Sequence, residues 1–239
     1  MGGHPGASRV QESSGTPGTT FPRFHRCRSR PCRGSQSASA RSRCRVGRFA
    51  RFALGVTGGF RHLADEVIHR GYIITLASGS FEAPDGTRFQ RDIVRHPGAV
   101  SVVPLHDDGT VTLVRQYRAA LDCELLEIPA GKRDVEGEPT ELTASRELAE
   151  EVGFRAGRLE LLAEFVNSAG FTDERSWVYL GRDLESVPLD RQGIEEQHLR
   201  VERFPLAEVP AMIADGRLID AKSIIGLTLA MQRLGVGGV

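Results

Sequence analysis

Residues 131–138 read Gly-Lys-Arg-Asp-Val-Glu-Gly-Glu, and after a gap of seven residues 146–154 read Arg-Glu-Leu-Ala-Glu-Glu-Val-Gly-Phe. The second half has the pattern of a helix over residues 140–152. Ala144, Leu148 and Val152 recur at i, i+4 and i+8 and should pack on a sheet, and Gly153 is placed to cap the C-terminus. On such a helix Glu147, Glu150 and Glu151 fall at i, i+3 and i+4, on one face. Three carboxylates so close repel one another and call for a cation opposite them. Hard divalent ions such as Mg²⁺ or Mn²⁺ take oxygen ligands, which this face supplies. Arg146 is four positions from Glu150 and can also tie down a carboxylate. Taken alone, three glutamates on a helix are more often a solvated face; the polar loop before them and the closing glycine change that balance.

Working outward, residues 72–77 (Y-I-I-T-L-A) read as a strand and 89–95 as its partner, with Pro84-Asp85-Gly86 as the turn. These form a small N-terminal sheet. A second hairpin is predicted from 99–105 and 110–117, turning at His106-Asp107-Asp108-Gly109. Residues 124–128 give a short strand ending at Pro129, and further strands fit 159–165, 176–180 and 199–204. Two helices, 206–215 and 221–234, close the chain. The order is β-rich, helix, β-rich, helices, which indicates an α+β or layered α/β/α domain with a mixed sheet.

The 239 residues carry no net charge, but the balance hides a segregation: residues 1–53 hold eleven arginines and one acid, Glu12. The rest is acidic, and lysine occurs only at Lys132 and Lys222. Residues 1–55 are rich in Gly, Ser, Arg and Pro without apolar periodicity and read as a disordered leader. The expected division is leader 1–55, N-terminal β-region 56–98 and main domain 99–239. Cys27, Cys32, Cys44 and Cys123 match no zinc framework, so free thiols in a reducing, cytoplasmic setting are expected. No apolar run reaches the roughly 18 to 20 residues that span a bilayer. Neither a membrane nor nucleic acid is expected as a partner; DNA binding through the arginine-rich leader is a rival reading. The histidines form no catalytic cluster, and no Ser or Cys has a paired base, so covalent acyl chemistry has no support.

The decisive stretch resembles the box of the Nudix hydrolases, G-x5-E-x7-R-E-U-x-E-E-x-G-U, where U is a bulky apolar residue. Every fixed position from Glu138 to Phe154 matches, while Gly131 and Glu138 are separated by six residues, one more than the pattern. The resemblance implies an α/β/α sandwich with a loop-helix-loop metal site. It implies Glu147, Glu150 and Glu151 as catalytic metal ligands, the Ala130 carbonyl as a further ligand, Glu138 supporting the metal shell and Arg146 orienting a glutamate. The cofactor would be Mg²⁺ or Mn²⁺.

Arg115-Gln116-Tyr117-Arg118 and the run from Glu124 to Gly131 are similar to segments of the ADP-ribose pyrophosphatase branch. That branch implies a nucleoside diphosphate sugar as substrate, contacts from Arg118, Glu127 and Phe171, and a homodimer built with the N-terminal sheet. Arg118 would contact a phosphate and Glu127 substrate hydroxyls. A late-loop glutamate, Glu195 or Glu196, would activate water. Ala169 stands where ADP-ribose-specific relatives commonly carry proline, which loosens the substrate inference. Another nucleotide-sugar or dinucleotide specificity, or a silent nucleotide-binding regulator, are the alternatives.

Overall fold

A computed structural model describes residues 58–191 and 193–237, so the leader reading of residues 1–55 falls outside the described residues. The first sheet is antiparallel, β1 (Arg61–Arg70), β2 (Thr75–Glu82) and β3 (Arg88–Arg95), in that order. The Pro84-Asp85-Gly86 turn is present: the Ala83 amide donates to the Thr87 carbonyl at 2.8 Å, and the Asp85 carboxylate accepts from the Thr87 amide at 2.9 Å. Two expectations need correction. The strand predicted over 72–77 begins only at Thr75, because Gly71 to Ile74 form a turn closed by a 2.8 Å hydrogen bond. And β1, unforeseen, pairs with β2 along its whole length. Every residue of β1 is exposed and its register shifts at His62/Ala64 and Val67/His69. A strand with no buried face and two irregularities leaves no period-two signature in the sequence.

The expected second hairpin is half right. β4 (Ala99–Pro104) and β5 (Thr110–Arg118) do turn at His106–Gly109, where the His106 amide bonds the Thr110 carbonyl at 2.9 Å. Beyond that turn they touch through a single bridge, Leu105 to Val111, and part into different sheets. β4 is buried at five of its six positions and has both edges taken, by β7 (Ala130–Lys132) and β9 (Arg175–Ser186). No edge is left for β5, which lies between β6 (Cys123–Glu127) and β10 (Arg200–Pro205). With β8 (Phe154–Val166) at its far edge, the central sheet runs β7-β4-β9-β8. It is mixed, β4 and β9 being parallel and the other neighbours antiparallel.

Helix α1 (Thr140–Val152) covers one face of that sheet, with Gly153 closing it in the left-handed conformation at φ 70°. Ala144, Leu148 and Val152 pack there with Val100, Val102 and Tyr179. Leu148 is fully buried, and truncating it to alanine would cost about 2–5 kcal/mol. The alternate residues Val103, Val178 and Leu180 face the opposite layer, a cluster with Leu227, Ala230 and Met231 of the C-terminal helix, residues Ala221–Leu234. Gly226 permits its close approach: a Cβ there would lie 2.7 Å from Val178 Cγ2. Between β9 and that helix come α2 (Ile194–Gln197), a 3₁₀ turn (Leu206–Glu208) and α3 (Val209–Ala214), so the C-terminal helix is α4. The helix expected over 206–215 is thus a 3₁₀ turn leading into α3. The result is the expected α/β/α sandwich.

β3 is tied to the β8–β9 loop: the Val94 amide donates to the Phe171 carbonyl at 2.8 Å, and Arg95 pairs with Asp173 at 3.1 Å. Among the described residues no helix is long and apolar enough to cross a membrane.

Candidate active site

The polar edge of α1 faces β7. Glu147 and Glu151 are buried, 8% and 3% exposed, which is rare for carboxylates without full charge compensation. Gly131 is why Glu147 fits: a Cβ at that position would lie 1.8 Å from the Glu147 carboxyl carbon. Any side chain there would evict the carboxylate. Glu151 accepts a hydrogen bond from the Ala130 amide at 3.0 Å, fixing the helix to the same strand.

Arg146 is shared among four acids, reaching Glu147 at 2.9 Å, Glu150 at 3.1 Å, Asp134 at 3.3 Å and Glu138 at 3.7 Å. Glu138 is held further by the Thr143 hydroxyl, which donates to it at 2.7 Å. One guanidinium cannot neutralise this cluster. Burial pushes the Glu147 carboxyl up to about 7, assisted by Glu150, Asp134 and Glu196 and opposed by Arg146. Burial likewise pushes Glu151 up to about 8; the Ala130 amide and Arg118 oppose the shift, and Glu147 and Glu196 add to it. Both groups are short of positive charge.

A divalent cation suits that shortage, and the donors, three carboxylates and the Ala130 carbonyl, are all hard oxygens. The side chains do not stand as a finished cage, however. Among the described residues no three His, Cys, Asp or Glu groups converge in metal-holding geometry, Glu150 being turned to Arg146 and Glu151 to the Ala130 amide.

Of the late-loop glutamates, Glu196 adds to the charge felt by Glu147 and Glu151. Its carboxylate accepts from the Gly193 amide at 3.2 Å, bracing the short α2. Arg191 holds the preceding loop against α1 by donating to the Glu151 carbonyl at 3.1 Å. Phe171 is exposed, and its backbone bonds the N-terminal sheet rather than the carboxylate cluster.

Arg118 and Glu127 form a bidentate pair, at 2.6 and 2.5 Å. Lys222 of α4 adds a second cation to Glu127 and is itself held by Asp220 at 2.9 Å. Burial pushes the Glu127 carboxyl up, but the Arg118 hydrogen bonds and the two positive charges outweigh it and hold the group below the usual range. Lys222 and Asp220 escaped the sequence reading. The available signal was rarity: Lys222 is one of two lysines in the chain and follows an Asp at a helix start. A separate surface cavity of about 610 Å³, lined by Leu105, His106, Arg182 and Leu206 among others, includes none of these residues.

Comparison with known proteins agrees with this arrangement. Residues 95–224 match the NUDIX domain. An ADP-ribose pyrophosphatase of Mycobacterium tuberculosis is 35% identical over 178 residues, spanning 74% of this chain and 86% of the relative. One from Bacillus subtilis is 37% identical over 161 residues, spanning 67% and 86%. A crystal structure of an ADP compounds hydrolase superposes with a TM-score of 0.65 at 27% identity, covering 75% of this chain and 97% of that one.

Proposed function

Because this chain belongs to the Nudix hydrolase family, whose members generally use divalent metal ions, we propose that it splits ADP-ribose or another ADP-sugar into AMP and a sugar phosphate. The observation that carries this reading is the pair of buried, charge-starved carboxylates Glu147 and Glu151 set against the side-chain-free Gly131. In this reading Glu147, Glu150, Glu151 and the Ala130 carbonyl hold Mg²⁺ or Mn²⁺. When bound, the metal neutralises pyrophosphate oxygens, lowers the pKa of a water and stabilises the leaving phosphate.

The remaining roles belong to side chains. Arg146 keeps Glu147 and Glu150 in place. Arg118 presents its guanidinium to a phosphate oxygen. Glu196, whose charge reaches the cluster, takes the proton of the attacking water. The water oxygen bonds one phosphorus, and the bridging oxygen departs with the other phosphate. Phe171 is left to contact the substrate beyond the pyrophosphate.

A second copy of the chain would complete the molecule along β1. That strand is an exposed edge, and Leu63, Val67 and Ile68, with the neighbouring Phe60, Tyr72, Ile73 and Ile74, are exposed apolar groups. Sedimentation equilibrium should return twice the chain mass, and a monomer at micromolar concentration would remove that part of the reading. A cytoplasmic site of action, where nucleotide sugars turn over, belongs to the same proposal.

The test is a panel of nucleoside diphosphate derivatives with Mg²⁺ or Mn²⁺, followed by chromatography of the products. Release of AMP from ADP-ribose or an ADP-sugar supports the reading. Turnover confined to other nucleotides would reassign the substrate, and no turnover of any member would favour a silent nucleotide binder.

A further inference from the structure

We infer that Lys222, at the start of α4, is a positioning residue that acts through Glu127 to aim the Arg118 guanidinium at the pyrophosphate. This rests on the proposed role of Arg118 as a phosphate contact.

Glu127 is fully buried. Its Oε1 accepts from Arg118 Nε at 2.6 Å, and its Oε2 is shared between Arg118 Nη2 at 2.5 Å and Lys222 Nζ. A carboxylate with no exposed surface and both oxygens engaged has no face to offer a substrate hydroxyl, the role the family resemblance implied for it. It acts through its partners.

Arg118 is the partner that reaches out. Its side chain is 39% exposed and its charge is felt by Glu151 across the site. Its hydrogen bonds to Glu127 occupy Nε and one terminal nitrogen, which leaves the other edge of a five-donor fork for phosphate oxygens.

Lys222 matters because the bidentate pair fixes Arg118 and Glu127 relative to each other but does not tie the pair to the helix layer. The second cation does, and it is itself anchored. Asp220 binds Lys222 at 2.9 Å while capping α4 through the Ser223 amide at 2.9 Å. The Ser223 hydroxyl in turn accepts from the Ile128 amide, the residue after Glu127, also at 2.9 Å. The start of α4 therefore grips the end of β6 on two sides, through Ile128 backbone and Glu127 side chain. An arginine held by this bracket loses less freedom when it engages a phosphate.

The experiment is steady-state hydrolysis of ADP-ribose at saturating Mg²⁺ by the full chain and its K222M, K222R, R118A, R118A/K222M and E127Q/K222M variants. K222M should raise KM roughly tenfold with kcat within about threefold, the sign of a lost contact made equally in ground and transition states. K222R, which keeps the cation, should recover most of that loss. R118A/K222M should be no worse than R118A alone, because both act through one guanidinium.

A wild-type KM in K222M, or a full extra loss on top of R118A, would overturn the inference. Should K222M fail to fold, E127Q/K222M removes the charge with its partner, and a wild-type KM in that folded variant overturns it equally. If the wild type turns over neither ADP-ribose nor another ADP-sugar, the functional reading fails on its own. The positioning role is then read from calorimetric binding of inorganic pyrophosphate with Mg²⁺: roughly tenfold weaker binding by K222M supports it, and equal affinity sinks it.

Discussion

Glu151 on α1 and Glu127 at the end of β6 are both buried glutamates, and their surroundings treat them in opposite ways. Glu127 lies between Arg118 and Lys222 and is held below the ordinary glutamate range despite its burial. Among the described residues Glu151 has one hydrogen-bond donor, the Ala130 amide, shares its neighbourhood with Glu147 and Glu196, and is pushed up to about 8. The lesson is that burial alone does not decide a carboxylate's charge; the number of cations brought within reach does. A satisfied carboxylate makes a rigid bracket. A starved one makes a place for a metal.

The strongest challenge to this contrast is chelation. EDTA should abolish hydrolysis and added Mg²⁺ restore it, because Arg146 alone cannot neutralise the acids that share it. Full turnover after exhaustive chelation, with metal content verified, would show that the α1 face needs no metal.

Next in size are the ligand variants. Glu151→Gln and Glu147→Gln should each slow turnover by roughly a hundredfold or more while leaving the metal-free fold as stable as before or more so. Glu141→Gln, exposed in the first turn of the same helix, should do little. An equal loss from Glu141→Gln would mean that the metal face has been misplaced.

The bracket should respond in the opposite sense. Glu127→Gln leaves Arg118 and Lys222 facing each other without their shared anion and should destabilise the protein by about 3 kcal/mol, read from urea melts. A gain in stability would erase the contrast between the two sites.

The smallest effect is the pH dependence of the metal-free protein. Burial raises the folded-state pKa of Glu151 from the ordinary glutamate value of 4.5 to about 8, so between those values the folded chain binds more protons than the unfolded one. Its contribution to stability is therefore greatest below about pH 4.5 and is lost as pH rises through 8. The melting temperature of Glu151→Gln minus that of the parent, in EDTA, should be close to zero at low pH and widen up to about pH 8. Glu127 carries the opposite sign: its lowered pKa contributes stability above the ordinary glutamate value that is lost in acid. A flat difference for Glu151→Gln across this range would show that its carboxyl is not starved of charge.

How much of this was readable beforehand depends on the kind of signal. Helix α1 was legible to its ends, because Ala144, Leu148 and Val152 mark its buried face and Gly153 its stop. Helix α4 was equally legible, with apolar residues throughout and Gly235 as its cap. β1 was not, since an exposed edge strand with two irregularities carries no alternation. The parting of β4 from β5 was hidden as well. A turn specifies that two strands meet, but the neighbours that claim their edges lie far along the chain, and β4 takes β9, 77 residues later.

The spacing of Glu147, Glu150 and Glu151 along one helix was determined by sequence alone, because helical geometry is local and 3.6 residues make a turn. The motif marks Gly131, but the reason it must lack a side chain emerges only in the fold, where a Cβ would meet the Glu147 carboxyl. Which carboxylates are starved and which are satisfied was decided only by tertiary structure. Glu127 and Lys222 are 95 residues apart, and Glu196, whose charge is felt by Glu151, follows a loop that Arg191 ties to the Glu151 carbonyl. Charge balance in a buried site is a sum over neighbours in space, and sequence order does not list those neighbours.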